Sequence, residues 1–304
     1  MTGPPLASAA VLLGGDNRSG TTLLSVVLDS HRELVVGPEL DFTEPRDLGP
    51  HVLAACELVA GRDPRVLGPG TGSADPYWHD GAHFVKQCER FGISIPQLVD
   101  TIAEVSAELG TNLADFEERC MLIDRLGNLR RARTGAARWG LKLQRRIRYV
   151  DRYARRWPQA KFVHVIRDGR DLAASHLHTV PSWGYKTIED AALGWLDVVS
   201  RPHAAAPAGR YLEIRYEDLV TDVPRTTGQI TKFLGIAWDP SLLRHTEYDH
   251  SLFAHPWGHP AAQAAARPIT ADRIGRHRRE LTRAQVAAFE SIAGAELERL
   301  GYLA

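Results

Sequence analysis

The sequence predicts a single α/β domain in which a parallel sheet of P-loop type is flanked by helices. Two observations lead to this fold class. Short apolar runs typical of buried strands alternate along the chain with helical stretches, a pattern that favours parallel strands covered on both faces. In addition, the first apolar run, residues 9–13, leads into the glycine-rich turn G-D-N-R-S-G-T-T at residues 15–22. A strand followed by such a turn and a helix is the arrangement that holds phosphate groups in P-loop proteins.

Each predicted element rests on a local pattern. The predicted strands are residues 9–13, 34–36, 139–143, 161–166 and 211–214, and the predicted helices are residues 21–28, 94–109, 145–157, 224–234 and 282 to about 300. Each strand is a short, mainly apolar run. The helix at 94–109 has apolar residues at helical spacing, with Pro96 in its first turn and Gly110 after its end. Thr282 and Gln285 form a capping box for the last helix.

The stretches without a clear period are expected to lie outside the sheet. Residues 62–80 are rich in Gly, Pro and Asp, and residues 245–268 are rich in His, Pro and Ala, so both are expected to be loops. About residues 44–135 are expected to form a helical and loop excursion that shapes the pocket for a substrate. On this interpretation residues 1–304 form one domain.

The composition indicates an ordinary globular protein. The chain has 37 basic and 37 acidic residues, so its formal net charge is zero and no overall field favours nucleic acid or an anionic membrane. Cys56, Cys88 and Cys120 lack C-x-x-C spacing and fit reduced thiols. No apolar run has membrane-spanning length, and the first residues lack a basic signal-peptide region. We therefore expect a cytoplasmic protein with no nucleic-acid or membrane partner; its oligomeric state stays open.

The turn at residues 15–22 has the spacing of a phosphate loop but lacks the usual lysine. Thr21 follows Gly20 at the position where a nucleotide triphosphatase carries the lysine that reaches the β- and γ-phosphates. This substitution argues against ATP or GTP, while Arg18 supplies a positive charge from within the turn. The turn is interpreted as a cradle for a different anionic group.

A second anion-binding pattern follows the predicted strand at 161–166. The strand continues into R-D-G-R-D, which places Arg167 where a Walker B strand would carry an aspartate for Mg²⁺, with Arg170 three residues later. Guanidinium groups bind phosphate oxygens in a fork, so the two arginines indicate a second anion site. The alternative is a surface ion-pair cluster with Asp168 and Asp171. Two anion sites at neighbouring strand ends would suit one nucleotide phosphorylated at both its 5′ and 3′ positions.

Together the two motifs resemble those of the sulfotransferases that use 3′-phosphoadenosine 5′-phosphosulfate (PAPS). R-S-G-T-T-L at 18–23 and V-I-R-D-G-R-D at 165–171 carry the resemblance, which extends from residue 11 to about residue 281. It is closer to the bacterial and tyrosylprotein-type branch than to the cytosolic aryl type. The donor-binding residues that the resemblance implies are Arg18, Ser19, Gly20, Thr21 and Thr22 at the 5′-phosphosulfate, Arg167 and Ser175 at the 3′-phosphate, Tyr216 near the adenine, and Arg273 and Arg276 in residues 269–281, which resemble the family's closing segment over the 3′-phosphate.

The resemblance also implies the catalytic groups. Glu39, in G-P-E-L, is the implied general base that takes the acceptor's hydroxyl proton, with Asp41 as its nearest substitute. Alternatively, Glu39 caps a helix or pairs with an arginine. Lys142, in W-G-L-K-L, is the implied lysine that, with Arg18, offsets charge on the phosphate side; alternatively it is a strand-end lysine in solvent. The donor has no β- and γ-phosphates for Mg²⁺ to bridge, so a metal-free reaction is expected, with 3′-phosphoadenosine 5′-phosphate (PAP) as product.

One departure from the family pattern lies directly before the R-S-G-T-T run. Relatives usually carry proline there, whereas this chain has Asp16 and Asn17. An acidic side chain beside an anion cradle is unfavourable unless it points away. Because proline also fixes the backbone, the turn is expected to have a different shape in this chain.

The histidines do not predict a metal site. His245, His250, His255 and His259 lie in one stretch, but none of their spacings is typical of zinc ligands on a helix. No metal is therefore expected. His79 and His83, with Tyr77, Trp78 and Phe84, are candidates for the acceptor pocket, as are Trp183 and Tyr185; all are equally compatible with packing.

Two other functions stay open at this point. One is a small-molecule kinase on the same scaffold, against which Thr21 and the missing Walker B aspartate argue. The other is a non-catalytic nucleotide-binding protein, against which Glu39 and Lys142 argue. The favoured hypothesis is a sulfotransferase acting on a small-molecule hydroxyl of a sugar, lipid or secondary metabolite. The high Ala, Gly and Arg content suggests a bacterial source.

Overall fold

The centre of the molecule is a five-stranded parallel sheet with the strand order β2-β3-β1-β4-β5. The computed structural model describes residues 6–40, 76–113, 115–179, 184–253 and 260–303. The strands are β1 (Val11–Gly14), β2 (Leu34–Val36), β3 (Arg138–Gln144), β4 (Lys161–Ile166) and β5 (Tyr211–Arg215). All five lie at the predicted positions, and the predicted fold class, a parallel sheet flanked by helices, is confirmed.

Helices surround the sheet. The helices within the described residues are α1 (Thr21–Asp29), α2 (Pro76–Arg90), α3 (Ile95–Leu109), α4 (Phe116–Thr134), α5 (Val150–Arg156), α6 (Gly169–Thr179), α7 (Ile188–Ala205), α8 (Tyr216–Thr221), α9 (Val223–Leu234), α10 (Pro260–Ala265), α11 (His277–Glu280) and α12 (Arg283–Arg299). Ser94 caps α3 and Thr282 caps α12, each in a capping box, as their sequences predict. Within the described residues, no helix combines the length and apolar character needed to cross a bilayer.

The strands β1, β2 and β4 are buried on both faces, which explains why they are mainly apolar. Successive side chains of a strand point to opposite faces, so Leu12 packs into one core cluster while Val11 and Leu13 pack into another. The first cluster also contains buried residues of α2, α3 and α4, such as Phe84 and Ile102. The helices of the predicted excursion therefore share a core with the sheet.

The order of the strands brings three of their carboxyl ends together. β1 lies between β3 and β4, so the turn after Gly14 is flanked by Gln144 on one side and by Arg167 on the other. The register between β1 and β3 shifts at this point, with Leu13 opposite Lys142 and Gly14 opposite Gln144. Such a bulge bends a strand and re-aims the side chains around it. Parallel sheets bind ligands at this edge.

The predictions of loops at residues 62–80 and 245–268 were wrong in part. Residues 76–80, at the end of the expected 62–80 loop, belong to α2. Pro76 is tolerated at the first position of this helix because the N–H that proline lacks would have no partner within the helix there. Residues 62–75 lie outside the described part. Within the expected 245–268 loop, residues 260–265 form α10, since small side chains such as Ala265 pack close to Val26 of α1. Residues 254–259, including two of the histidines considered above, lie outside the described part.

The predicted helix at 145–157 is divided. A 3₁₀ helix, Arg145–Tyr149, precedes α5. The tighter first turn places Ile147 directly against Gly14, where an added Cβ would lie 2.2 Å from the Ile147 Cβ. Packing against the end of β1 therefore decides the local helix type.

Candidate functional site

A cavity of about 780 Å³ lies at the carboxyl ends of the central strands. Ten of the predicted site residues line it: Arg18, Gly20, Thr21, Thr22, Glu39, Arg167, Ser175, Tyr216, Arg273 and Arg276. The other two, Ser19 and Lys142, are buried beside it. The structure thus brings the residues predicted from distant parts of the sequence into one site.

The shape of the glycine-rich turn depends on residues with positive φ angles, among them Arg18 and Gly20. Arg18 has a φ of 73°, and Gly20 has a φ of 103° at the start of α1. A Cβ at Gly20 would lie 2.5 Å from the ring of Tyr216, so only glycine fits between the turn and this ring. Since α1 has no side-chain cap and no acidic residue in its first turn, its N-terminal N–H groups and dipole favour an anion.

Three buried donor atoms around the cavity have no hydrogen-bond partner within the described residues. They are the Ser19 Oγ, the Arg18 Nη1 and the Arg167 Nε. Buried polar atoms are nearly always hydrogen-bonded, so unpartnered donors beside a cavity indicate a ligand that supplies acceptors. Two of the three carry positive charge, which fits an anionic ligand.

Arginines converge on one side of the cavity. The Arg18 Nε donates to the Ser175 Oγ at 3.1 Å, which turns the guanidinium toward the site predicted for the 3′-phosphate. Burial and the nearby charges of Arg167, Arg276 and Arg273 lower the pKa of Arg18 to about 10. Mutual repulsion of this kind is relieved by an anion bound among the arginines.

Arg167 connects the turn, the closing segment and Tyr216. Its Nη1 donates to the backbone oxygen of Arg18 at 3.1 Å, and its Nη2 donates to that of Arg273. Its guanidinium carbon lies 4.5 Å from the centroid of the Tyr216 ring. Arg167 is 5% exposed and its Nη2 lies 3.8 Å from the Asp171 Oδ2, so this ion pair is buried rather than at the surface.

Arg170, by contrast, is a structural residue. Its guanidinium pairs with Asp168 at 2.8 Å and with Glu290 at 2.5 Å, which ties α6 to α12. The ion-pair interpretation therefore holds for Arg170, and only one of the two arginines after β4 faces the cavity.

Asp171 fastens the closing segment, a role that the motif alone did not predict. Its carboxylate accepts hydrogen bonds from the backbone N–H groups of Gly275 at 2.7 Å and His277 at 3.0 Å, and contacts the His277 ring. Burial alone would raise the pKa of Asp171, but the hydrogen bonds from the ring and the backbone of His277 and the charge of Arg167 lower it. An ionised Asp171 thus anchors the segment that carries Arg273 and Arg276.

Glu39 and Lys142 form an ion pair at the other side of the cavity. The Lys142 Nζ lies 3.0 Å from the Glu39 Oε1 and donates to the Thr22 Oγ1 at 3.1 Å. Lys142 is 1% exposed, so the alternative of a solvated strand-end lysine is wrong. Glu39 therefore pairs with this lysine, and its charge also acts on Arg90. Asp41 lies outside the described residues.

The charge state of Glu39 follows from these contacts. Burial favours the neutral acid, but the charge of Lys142 and the hydrogen bonds from Lys142 and Gln144 outweigh it, so the pKa of Glu39 is lowered. The carboxylate is therefore ionised at neutral pH and is ready to accept a proton.

Asp16 points away from the cavity. Its carboxylate accepts a hydrogen bond from the Tyr185 hydroxyl at 2.9 Å and from the Asn17 backbone N–H at 2.8 Å, and lies 3.3 Å from the Arg145 Nε. His176 packs on the Tyr185 ring and contacts the Asn17 carbonyl oxygen at 3.1 Å. This network fixes the turn at the point where relatives carry proline.

Replacing Asp16 with Asn is expected to stabilise the fold at neutral pH. Burial raises the pKa of Asp16 from 3.8 to about 6, although Arg145 and Tyr185 oppose it. The folded chain thus binds more protons than the unfolded chain between these pH values, so stability falls as pH rises through this window. We expect Asp16→Asn to exceed the wild type in unfolding free energy by roughly 2–3 kcal/mol at about pH 7, and by little below about pH 4. Urea denaturation at both pH values measures this; equal stabilities at neutral pH would contradict it.

The cavity also contains polar residues that the sequence analysis did not assign. Gln144, Gln87 and Asn17 line it together with His83, which was a pocket candidate. The period of a strand could have predicted Gln144, since it follows Lys142 by two positions and such residues share a face. Gln87 follows His83 by one helical turn, and their side chains meet at 3.1 Å.

The aromatic residues considered for the acceptor pocket do not all lie at the cavity. Phe84 is 2% exposed and belongs to the core, and Tyr185 binds Asp16 rather than lining the cavity. Trp183 and the side chains of residues 77–79 lie outside what the structure describes.

The described histidines of the 245–253 stretch make structural contacts. The His250 Nδ1 lies 2.7 Å from the Asp29 Oδ2, and the His245 Nε2 lies 3.1 Å from the Arg267 carbonyl oxygen. In the described ranges, no three His, Cys, Asp or Glu side chains are arranged to hold a metal ion.

Comparison with known proteins places this site in a family. A model described as the sulfotransferase family matches residues 10–240, which include both anion-binding motifs, Glu39 and Lys142. The matched residues do not include Arg273 and Arg276. Protein-tyrosine sulfotransferase 2 of Gallus gallus is 24% identical over 243 residues, which are 78% of this chain and 54% of that protein. The chain thus spans about half the length of this curated relative.

Solved structures share the fold at low sequence identity. The sulfotransferase domain of the Synechococcus PCC 7002 olefin synthase is 18% identical, with a TM-score of 0.64, and the match covers 96% of this chain and 98% of that domain. The sulfotransferase STF9 from Mycobacterium avium is 17% identical, with a TM-score of 0.50, and the match covers 97% of this chain and 77% of that one. At these identities the structures establish the architecture, while the site is defined by the residues of this chain.

Proposed function

The chain belongs to the sulfotransferase family, and from this premise we propose that it transfers the sulfonate group of PAPS to a hydroxyl group of a small-molecule acceptor. Residues 1–304 would act as one domain, in which the helices after residue 76 form part of the acceptor side. The products would be an O-sulfated acceptor and PAP.

The observation that carries this proposal is the convergence of buried guanidinium groups beside an uncapped phosphate turn. The Arg18 Nη1, the Arg167 Nε and the Ser19 Oγ are donors without partners in the described part of the chain. A donor with anionic groups at both its 5′ and 3′ positions would satisfy the turn and the arginine cluster at the same time.

The two anionic ends of the donor would occupy different sides of the cavity. Residues 18–22 and the first N–H groups of α1 would hold the 5′-phosphosulfate. Arg167 and Ser175 would hold the 3′-phosphate, with the Arg18 guanidinium beside Ser175 as a further contact. Tyr216 would lie near the adenine. Arg273 and Arg276 would close over the 3′-phosphate, in a segment that Asp171 anchors.

Glu39 and Lys142 would divide the chemistry between them. The acceptor oxygen would form a bond to sulfur in line with the breaking bond between sulfur and the 5′-phosphate oxygen, and Glu39 would take the hydroxyl proton. Lys142, which lies between Glu39 and Thr22, would offset the negative charge that develops on the phosphate oxygen. The electron pair of the broken bond stays on the 5′-phosphate oxygen of PAP, so the step balances without an oxidant or a reductant.

The acceptor side is polar in the residues described. His83, Gln87 and Gln144 line the cavity near Glu39, and all three side chains can hydrogen-bond to hydroxyl groups. This polarity supports a hydroxyl-rich small molecule, such as a sugar or a secondary metabolite. A tyrosine hydroxyl, which the name of the Gallus gallus relative suggests, is the second candidate.

Replacing Arg167 with Ala is expected to weaken PAP binding roughly 10- to 100-fold, because it removes a charge-assisted contact to phosphate. Calorimetric titration with PAP measures the loss. Arg225→Ala, at an exposed position on α9, is the matched control and should bind PAP like the wild type. Unchanged affinity in a folded Arg167→Ala protein would remove Arg167 from the donor site.

A further inference from the structure

Gln144 ends β3 with a backbone that residues other than glycine rarely adopt. Its φ is 49° and its ψ is −134°. It also follows the bulge that shifts the register between β1 and β3. Strained backbone at the end of a strand is found where a side chain is held for function.

Its side chain and its carbonyl group reach two parts of the site. The Gln144 Nε2 donates to the Glu39 Oε1, the same oxygen that accepts from the Lys142 Nζ. The Gln144 carbonyl oxygen accepts a hydrogen bond from the Gly15 backbone N–H at 3.2 Å. Gln144 therefore contacts both the proposed base and the turn that would hold the donor.

The two carboxylate oxygens of Glu39 consequently differ in the hydrogen bonds that they accept. Oε1 accepts two hydrogen bonds from β3, whereas Oε2 accepts none from the residues that the structure describes. Because Glu39 lines the cavity, Oε2 is the oxygen left to take a proton from a bound hydroxyl group.

We propose that Gln144 is a positioning residue for Glu39: its amide, together with Lys142, holds Oε1 so that Oε2 faces the acceptor hydroxyl. This inference rests on the proposed function, since it requires Glu39 to be the base. A glycine would adopt the same backbone without strain, but it would leave Glu39 held by Lys142 alone.

Gln144→Gly tests the inference, because it removes the side-chain amide and also the backbone strain at this position. The variant should be at least as stable as the wild type and should bind PAP with an affinity within about 2-fold of it. Turnover, followed as PAP release from PAPS with a hydroxylated acceptor found by screening, should fall roughly 10- to 100-fold through misplacement of the base. A ¹³C NMR titration, which needs no acceptor, should show a higher pKa for the Glu39 carboxyl, since the hydrogen bond that stabilises its charged form is gone.

Measuring Gln144→Gly both in the wild type and in a Glu39→Gln protein distinguishes a failure of this inference from a failure of the proposed function. In a Glu39→Gln protein, Gln144→Gly should lower turnover no further, because the group that it positions is already lost. If Glu39→Gln itself turns over normally, the proposed base is wrong. If Glu39→Gln is inactive but Gln144→Gly keeps wild-type turnover and an unchanged Glu39 pKa, only the inference is overturned. An equal loss of turnover in both backgrounds would also overturn it and would assign Gln144 to the donor turn.

Discussion

Glu39→Gln is expected to lower turnover roughly 100-fold or more while leaving PAP affinity close to that of the wild type. Glutamine has the size of glutamate, and its side-chain oxygen can still accept hydrogen bonds from Lys142 and Gln144, so the site should keep its shape. The amide oxygen, however, cannot take the proton that the acceptor hydroxyl loses. Single-turnover PAP release measures the chemical step, and calorimetry with PAP measures donor-site binding.

Glu104→Gln is the matched control for this variant. Glu104 is exposed on α3, so the same loss of charge there should leave turnover unchanged. Wild-type turnover in Glu39→Gln would show that another group takes the proton, and would reduce the Glu39–Lys142 pair to a structural role.

Lys142→Met is expected to have an effect of similar or greater size, about 100- to 1000-fold on turnover, because it removes a buried cation from the site of charge development. Removal of the Lys142 charge would also affect Glu39, the proposed base. The charge of Lys142 lowers the pKa of Glu39, so without it burial favours the protonated acid, which cannot accept a proton. Unlike Glu39→Gln, this variant should also weaken PAP binding, since Lys142 contacts Thr22 in the donor turn.

A lysine outside the cavity provides the comparison. Lys232 is exposed on α9, and Lys232→Met should keep both turnover and PAP affinity. A folded Lys142→Met protein with undiminished turnover would contradict the assignment of Lys142 to the phosphate side.

The sequence was sufficient for the architecture because each strand is a short apolar run, and the two motifs identified the strand ends that carry the site. A parallel sheet covered by helices buries such runs on both faces, and the helical stretches between them favour this architecture. The family resemblance then supplied Glu39 and Lys142, which no local pattern distinguishes from other strand-end residues. Their contact at the side of the cavity, at 3.0 Å, follows from the pairing of β3 with its neighbours.

What the sequence did not reveal depends on contacts between distant segments. Arg167 and Arg170 occur in one motif, yet Glu290 on α12 draws Arg170 into a structural ion pair. The carboxylate of Asp16 is compatible with an anion site only because Tyr185 and Arg145 turn it away. Nothing local to either residue predicts these partners.

The contact between the Gln144 amide and Glu39 could not be predicted from the sequence for a related reason. A regular strand would place it beside Lys142, but the bulge and the left-handed backbone decide where its amide points. Backbone irregularities of this kind arise from the fit between neighbouring strands, and only the assembled sheet reveals them.

The most direct test of the account is a calorimetric comparison of PAP, without metal, with ATP in the presence of Mg²⁺. The arginine cluster and the turn without a lysine predict micromolar binding of PAP and little binding of ATP. A preference for ATP with Mg²⁺ would contradict the proposed donor and favour a kinase.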